Sequence, residues 1–194
     1  MSYTPRILAL AGSLRAESFN GRILNIAAEA AREAGAEVKV IDLREFPLPI
    51  YDGDLEAAEG LPANALALKR EFLAHEGLLL ASPEYNSSFT PLMKNTIDWV
   101  SRPAPGEGGL AAYKGKTAVI MSASPGALGG LRGLVHLRAV LGNIGVIVLP
   151  EQKAISSASA AFTPEGALSN AKDHEAIRGL GTRLAEVLGK LHAS

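Results

Sequence analysis

Short apolar runs alternate with helix-patterned stretches along this chain, and that alternation sharply limits its possible architectures. The runs are Ile7–Ala11, Val38–Ile41, Gly77–Ala81, Thr117–Met121 and Val146–Leu149. Each has strand length, and near-continuous apolar character suits a strand covered on both faces, as in a parallel sheet. Between the runs, apolar residues recur at helical spacing over Gly21–Ala34, Ala63–Ala74, Pro91–Val100, Leu131–Leu141 and Ala171–Leu191. Gly35 stands where a left-handed cap ends the first helix, and Gly142 or Asn143 caps the fourth. Pro150 closes the fifth strand. Strands alternating with helices predict an α/β, three-layer fold: a five-stranded parallel sheet with helices on both faces and right-handed crossovers.

One stretch departs from the pattern. Leu43 to Pro62 is broken by Pro47, Pro49, Gly53, Gly60 and Pro62, which predicts a long surface loop, either a lid or contact surface or a plain connector. Arg102–Gly109, Ser156–Ala161 and Thr163–Gly166 also read as surface loops. There is no internal repeat and no composition shift that marks a boundary. The 194 residues are therefore expected to form a single domain, 1–194, with a sizeable core.

Three polar loops leave strand carboxyl ends: Gly12–Asn20, Ser82–Thr90 and Ser122–Gly130. In an assumed strand order of 2-1-3-4-5 these loops converge on one crevice, where open α/β sheets bind ligands. The first loop carries Ser13, Arg15, Ser18 and Asn20 just before a helix. A helix N-terminus offers unpaired N–H groups and a positive dipole end, and the hydroxyls, amide and guanidinium add donors suited to a phosphate. Simple helix capping by Ser18 or Asn20 is the plainer alternative. No lysine follows Gly12 as in G-x-x-x-x-G-K-[ST], and the next glycine is Gly21, so neither a nucleoside triphosphate loop nor a dinucleotide fingerprint is present. A terminal monophosphate in a compact nest fits better.

The second loop, Ser82-Pro-Glu-Tyr-Asn-Ser-Ser-Phe-Thr90, offers flat apolar faces at Tyr85 and Phe89 and an amide at Asn86. It suits backbone N–H groups aimed at the heteroatom edge of a planar ring. An ordinary turn capped by Asn86 or Ser88 would look the same. The third loop, with Ser122, Ser124, Gly126, Gly129 and Gly130, permits close ligand approach or is a plain turn before a helix.

Several classes drop out. A formal net charge of −1 gives no electrostatic footprint for nucleic acid or an anionic membrane. There is no cysteine, which excludes disulfides, thiolate catalysis and Cys-based metal sites. His75, His136, His174 and His192 are scattered, so no metal is expected. No G-x-S-x-G elbow occurs. Trp99 reads as core or subunit packing, and Lys94, Asp98 and Arg102 as solvated or interface charges. The lead Met1–Arg6 lacks a signal-peptide pattern and no apolar run is of membrane-spanning length, so a cytoplasmic protein is expected.

These residues also carry a resemblance. Gly12-Ser-Leu-Arg-Ala-Glu-Ser-Phe-Asn20 resembles the G-S-x-R-x-x-S-x-N phosphate loop of NAD(P)H-dependent FMN reductases. Pro83-Glu-Tyr-Asn86, followed by Lys94-Asn-Thr-Ile-Asp-Trp99, resembles that family's P-E-Y-N…K-N-x-I-D-W block. The likeness extends over the whole chain, including Asp42-Leu-Arg-Glu-Phe-Pro47. The group includes bacterial quinone, chromate and azo-dye reductases and is flavodoxin-like in fold.

The resemblance implies that Ser13, Leu14, Arg15, Ser18 and Asn20 hold the FMN phosphate. It implies that Pro83, Glu84, Tyr85 and Asn86 hold the isoalloxazine ring, largely through backbone groups, and that Ser122, Ser124 and Gly126 lie near the ring or ribityl chain. NAD(P)H is the implied co-substrate, with a quinone, free flavin or azo compound as acceptor. No catalytic side chain is required, because the flavin carries the chemistry. A homodimer or homotetramer is implied. The chain departs from the family after P-E-Y-N: many members continue aromatic-Ser-x-Pro-Gly, whereas this chain has Ser87-Ser-Phe-Thr-Pro91. A flavodoxin-like electron carrier without NAD(P)H reactivity is the rival reading, and near-neutral charge and Arg15 weigh against it. An interaction protein without FMN on the same scaffold is a third.

Overall fold

The computed structural model describes residues 3–192. Met1 and Ser2 of the N-terminal lead, and the last two positions of the expected 1–194 domain, lie outside the described residues. Five parallel strands form one sheet: β1 (Arg6–Ala11), β2 (Glu37–Ile41), β3 (Gly77–Ala81), β6 (Thr117–Ala123) and β7 (Ile147–Ile155). A two-stranded hairpin, β4 (Glu84–Tyr85) and β5 (Ser88–Phe89), stands between β3 and β6 in the chain. The sheet order is β2-β1-β3-β6-β7, which is 2-1-3-4-5 when the five long strands are counted alone. The helices are α1 (Phe19–Glu33), α2 (Gly53–Glu59), α3 (Ala63–Leu73), α4 (Pro91–Ser101), α5 (Leu131–Asn143) and α6 (Ala171–His192).

Strand alternation explains why the apolar runs are continuous. Ile7 and Ala9 of β1 enter a core that includes Ile23, Ala27, Leu180 and Leu184, from α1 and α6. Leu8 and Leu10 enter the opposite core, with Leu68, Phe72, Met93, Ile97, Leu134 and Leu137 from α3, α4 and α5. Successive side chains point to opposite faces, so a strand covered on both sides needs apolar residues at every position. The helices on α1's side pack closely: a Cβ on Gly181 would come within 1.9 Å of the Ala27 carbonyl oxygen.

Five stretches differ from the sequence expectation. The Leu43–Pro62 stretch is not simply loop. It holds a 3₁₀ turn at Leu43–Glu45 and the helix α2. Asp52 caps α2, its side chain accepting from the Asp54 and Leu55 N–H groups. Prolines and glycines on both flanks mask so short a helix. The segment is bound to α4: Asn95 donates to the Pro49 carbonyl (2.8 Å) and accepts from the Tyr51 N–H (2.8 Å), and the Trp99 indole also donates to Pro49 (2.8 Å). Glu56 pairs with Arg102.

The Ser82–Thr90 loop contains the hairpin, turned through Asn86 (φ 51°) and Ser87 (φ 69°). Two consecutive positive-φ residues suit the twist of a tight hairpin, and asparagine tolerates that conformation. β7 runs through Pro150 instead of ending there. It is an edge strand with a register irregularity opposite Ala118–Ile120, and an edge bulge is where a strand accepts proline. Finally, α5 runs to Asn143 with Ile144 as its C-cap, and Gly145 takes the left-handed region (φ 86°), two to three residues beyond the expected Gly142 or Asn143. Gly35 does take the left-handed cap expected of it (φ 90°), and Ala36 donates to Ala31 across the same turn. A 3₁₀ turn at Ala158–Ala160, with Ala158 buried, gives the Ser156–Ala161 loop more structure than expected.

Candidate functional site

The three polar loops meet at the carboxyl edge of the sheet. The strand ladder itself draws them together. Gly12 donates to Ala81 (2.8 Å), Ser82 to Met121 (3.0 Å) and Ser124 to Ile155 (3.0 Å), so each loop leaves its strand one hydrogen bond beyond a neighbour. Two side-chain ties complete the assembly. Thr90 Oγ1 donates to the Gly12 carbonyl (2.8 Å) and accepts from the Met93 N–H (3.2 Å), capping α4 while joining it to the first loop. Asn20 Nδ2 donates to the Ala123 carbonyl (2.8 Å) and its Oδ1 accepts from the Ala123 N–H (3.0 Å), joining α1 to the end of β6.

A small cavity of about 80 Å³ sits where the loops meet, lined by Ser13, Arg15, Ser18, Phe19 and Asn20, by Pro83–Tyr85 and by Ala123–Pro125. Next to it lies an open cavity of about 400 Å³ over Gly12, Leu14, Arg15, Tyr85, Thr90, Pro91 and Leu92. The first is lined by hydroxyls, an amide and a guanidinium beside apolar atoms and faces a helix N-terminus. The second is mostly apolar and carries the exposed side chains of Leu14 (51%) and Tyr85 (52%).

The expected residues are not equivalent in this geometry. Ser18 is the N-cap of α1, accepting from the Gly21 N–H (3.2 Å), while its hydroxyl proton stays available. The N–H groups of Phe19 and Asn20, as first-turn positions, have no intrahelical acceptor. The Arg15 guanidinium is exposed and has no acceptor or ion-pair partner among the described residues. Ser13 accepts only a long contact from the Arg15 N–H (3.4 Å). The Asn20 amide, by contrast, is buried and fully engaged with Ala123, so from this position only its backbone N–H faces the cavity as a donor.

Glu84 turns inward too. Its carboxylate accepts from Arg132 Nε (2.9 Å) and from the Gly133 N–H (3.2 Å). Burial works to raise its carboxyl, but the Arg132 side chain and the Gly133 N–H outweigh that and hold it below the usual carboxylate range. Ser88 adds a contact with His136 Nδ1 (3.1 Å). Together these pin the hairpin on α5 and leave the backbone of Pro83–Asn86 to face the cleft.

Asn86 sits exposed at the hairpin tip. Ser124 lines the small cavity and accepts from the Gly126 N–H (3.3 Å), while Gly126 lies on the exposed rim. Ser122 is buried beneath the loops, its Oγ without a hydrogen-bond partner. Gly130 is the reason it can lie there. A Cβ on Gly130 would come within 1.9 Å of Ser122 Oγ, and its φ of 94° already disfavours a side chain.

Arg132, Gly133 and Thr90 were not singled out in the sequence, and His136 was noted there only as one of four scattered histidines. Thr90 could have been: Thr-Pro before an apolar helix is a capping signal. Arg132 could not, because its partner is 48 positions away.

A phosphate-bearing planar ring fits this donor set. Hydroxyls, free helix N–H groups and an unpaired guanidinium cluster at one end, and a flat apolar surface continues from them. Neither a metal-binding cluster of His, Asp or Glu nor a helix long and apolar enough to cross a membrane occurs among the described residues.

The comparisons point the same way. The family model described as NADPH-dependent FMN reductase matches residues 5–160. An NAD(P)H-dependent FMN reductase of Pseudomonas aeruginosa is 35% identical over 179 residues, covering 92% of each chain. A quinone reductase of Escherichia coli K12 is 36% identical over 152 residues, 77% of this chain and 76% of its own. Among solved structures, a flavoenzyme NAD(P)H:(acceptor) oxidoreductase from Paracoccus denitrificans matches with TM-score 0.80 at 26% identity, covering 98% of this chain and 100% of that one. An archaeal flavodoxin, at TM-score 0.60 and 12% identity, shares the fold alone.

Proposed function

The chain belongs to the NADPH-dependent FMN reductase family, and from that premise we propose that its three converging loops hold FMN in an NAD(P)H-dependent oxidoreductase. The observation that carries the site assignment is the cavity pair: a polar nest containing the unpaired Arg15, continuous with an apolar platform. The hydride chemistry between NAD(P)H and an acceptor such as a quinone, a free flavin or an azo compound is supplied by FMN when bound.

The protein's part is positioning. Arg15, the Ser13 and Ser18 hydroxyls and the first N–H groups of α1 hold the phosphate. The clamp of Glu84 by Arg132 fixes the hairpin, so that backbone groups of Pro83–Asn86 meet the polar edge of the ring. Ser124 and the Gly126 rim flank the chain between phosphate and ring. Leu14, Tyr85 and Leu92 would give the ring an apolar surface that excludes water. Ser122 serves from below, as support for Gly130.

The same reading makes this a cytoplasmic, single-domain homodimer or homotetramer. Exposed apolar side chains such as Ile50, Leu131 and Val135 offer surface for subunit contact, and sedimentation of the flavin-loaded protein measures the assembly. The function is tested by mixing the protein with FMN and NADPH without oxygen. Loss of the flavin's visible absorbance on NADPH addition, and its return when a quinone is added, is the expected result. Bound flavin that NADPH leaves yellow would exclude the reductase, and failure to take up flavin would exclude the site.

A further inference from the structure

An apolar groove of about 300 Å³ lies between the Leu43–Leu48 segment and α4. Leu14 and Leu92 belong both to it and to the open cavity assigned to the ring, so the groove leads off the platform. Leu43, Phe46, Pro47 and Leu48 complete its apolar wall.

The polar side chains that reach this groove are already employed. Asn95 donates to the Pro49 carbonyl and accepts from the Tyr51 N–H, at 2.8 Å each. Arg44 is paired with Asp42, its Nε donating at 2.8 Å. Thr96 is 2% exposed on α4. What is left for a ligand is aliphatic and aromatic surface. At about 400 and 300 Å³, platform and groove each reach the size of small-molecule pockets.

Such a wall discriminates among the acceptors named above. The hydroxylated chain of a free flavin would lose its water here and gain no hydrogen bond. A charged azo compound meets no unpaired counter-charge, and a pyrophosphate fares no better. A quinone with an aliphatic substituent loses nothing polar. Its ring lies over the platform, and its chain leaves water along Leu14, Phe46 and Leu48.

We propose that the acceptor is a quinone bearing an aliphatic or isoprenoid chain, that this groove is the chain's subsite, and that Phe46 and Leu48 set the preference for it. The assignment deepens the flavin reading given above and rests on it. The reaction is unchanged by the chain. A hydride from NADPH, passed by way of bound FMN, and one proton from water turn the quinone into the hydroquinone, and NADP⁺ leaves.

The test titrates FMN-loaded protein, without oxygen, with methyl-, butyl- and hexyl-hydroquinone by calorimetry. These are product forms, so binding is read without turnover. In wild type, affinity is expected to rise roughly two- to fourfold per added methylene until the groove is full, and the heat capacity of binding to become more negative along the series. The kcat/KM values of the matching quinones are expected to rise in the same order. In L48Q and in F46Q the rise is expected to flatten, with the methyl compound bound as in wild type. Unshifted Trp99 emission in a variant shows that its segment is still seated on α4, and F46Q keeps the test alive if L48Q lifts it. Affinity independent of chain length in wild type, or a rise undiminished in both variants, would overturn the subsite while leaving bound FMN in place. A flat wild-type series joined to an assembly that dissociates in L48Q would also overturn it, and give the groove to a second copy of the chain. Protein that takes up no FMN would instead overturn the reading on which the subsite rests.

Discussion

The phosphate loop and the β4–β5 hairpin face each other across one cleft, yet they are built on opposite plans. In the loop after β1, donors are left open: Arg15 has no partner among the described residues, and the first N–H groups of α1 point outward. In the hairpin two polar side chains of the strands are occupied internally, while Asn86 stays exposed at the tip. Glu84 is bound to Arg132 and Gly133, and Ser88 to His136. The loop binds with its side chains and can afford to be loosely held. The hairpin must present its backbone, so its side chains are used to hold that backbone still. Removing a side chain from the first should cost affinity, and from the second should cost order.

The largest effect is expected where the two plans share a support. Gly130→Ala adds a methyl 1.9 Å from Ser122 Oγ at a φ of 94°, combining left-handed strain with overpacking, about 2–5 kcal/mol together. A drop in denaturant midpoint for G130A, relieved in part by G130A/S122A, would identify the overlap as the cause. An unshifted midpoint would show that the support is soft.

Arg15→Ala comes next and separates binding from folding. It removes a charge-assisted phosphate contact, so FMN affinity should fall by about 1.5–3 kcal/mol, roughly 10- to 100-fold, while the melting temperature of the flavin-free protein stays put. Undiminished affinity would move the phosphate elsewhere. Arg132→Gln should do the converse. It leaves a buried carboxylate short of its main partner, and about 1 kcal/mol of stability should go, with faster amide exchange over Glu84–Phe89 as the direct readout. R132Q with normal exchange protection there would break the comparison.

The smallest effect is a pH dependence. The folded Glu84 carboxyl lies below its ordinary value, so its contribution is complete above the ordinary carboxylate range and is lost as pH falls through the lowered folded value. The stability difference between wild type and R132Q should therefore shrink in acid and be constant through neutrality.

Much of this was legible from local pattern. The five long strands follow from apolar periodicity, while their order, on which the convergence of the three loops depends, was an assumed topology that the sheet matches; Ser18 and Gly35 cap α1 where the pattern placed them. The misses have a common physical origin. Two-residue strands such as Glu84–Tyr85 carry no periodicity, and a helix as short as α2 is hidden by its proline and glycine flanks. Pro150 looks like a stop only until the strand is known to be an edge. At the site, residue types were readable but their employment was not. Whether Asn20 and Glu84 face a ligand or the protein depends on partners 103 and 48 positions away, which no local pattern records.

The bond between Trp99 and Pro49 has a practical consequence. Trp99 is the chain's single tryptophan; it is fully buried, donates to the Pro49 carbonyl at 2.8 Å and meets Tyr51 edge-on with ring centroids 5.0 Å apart. Its fluorescence is thus a built-in optical gauge of the segment that borders the apolar groove at Pro47 and Leu48. If that segment lifts from α4, indole emission will shift red and become quenchable by iodide, with no label introduced and no other indole to blur the signal.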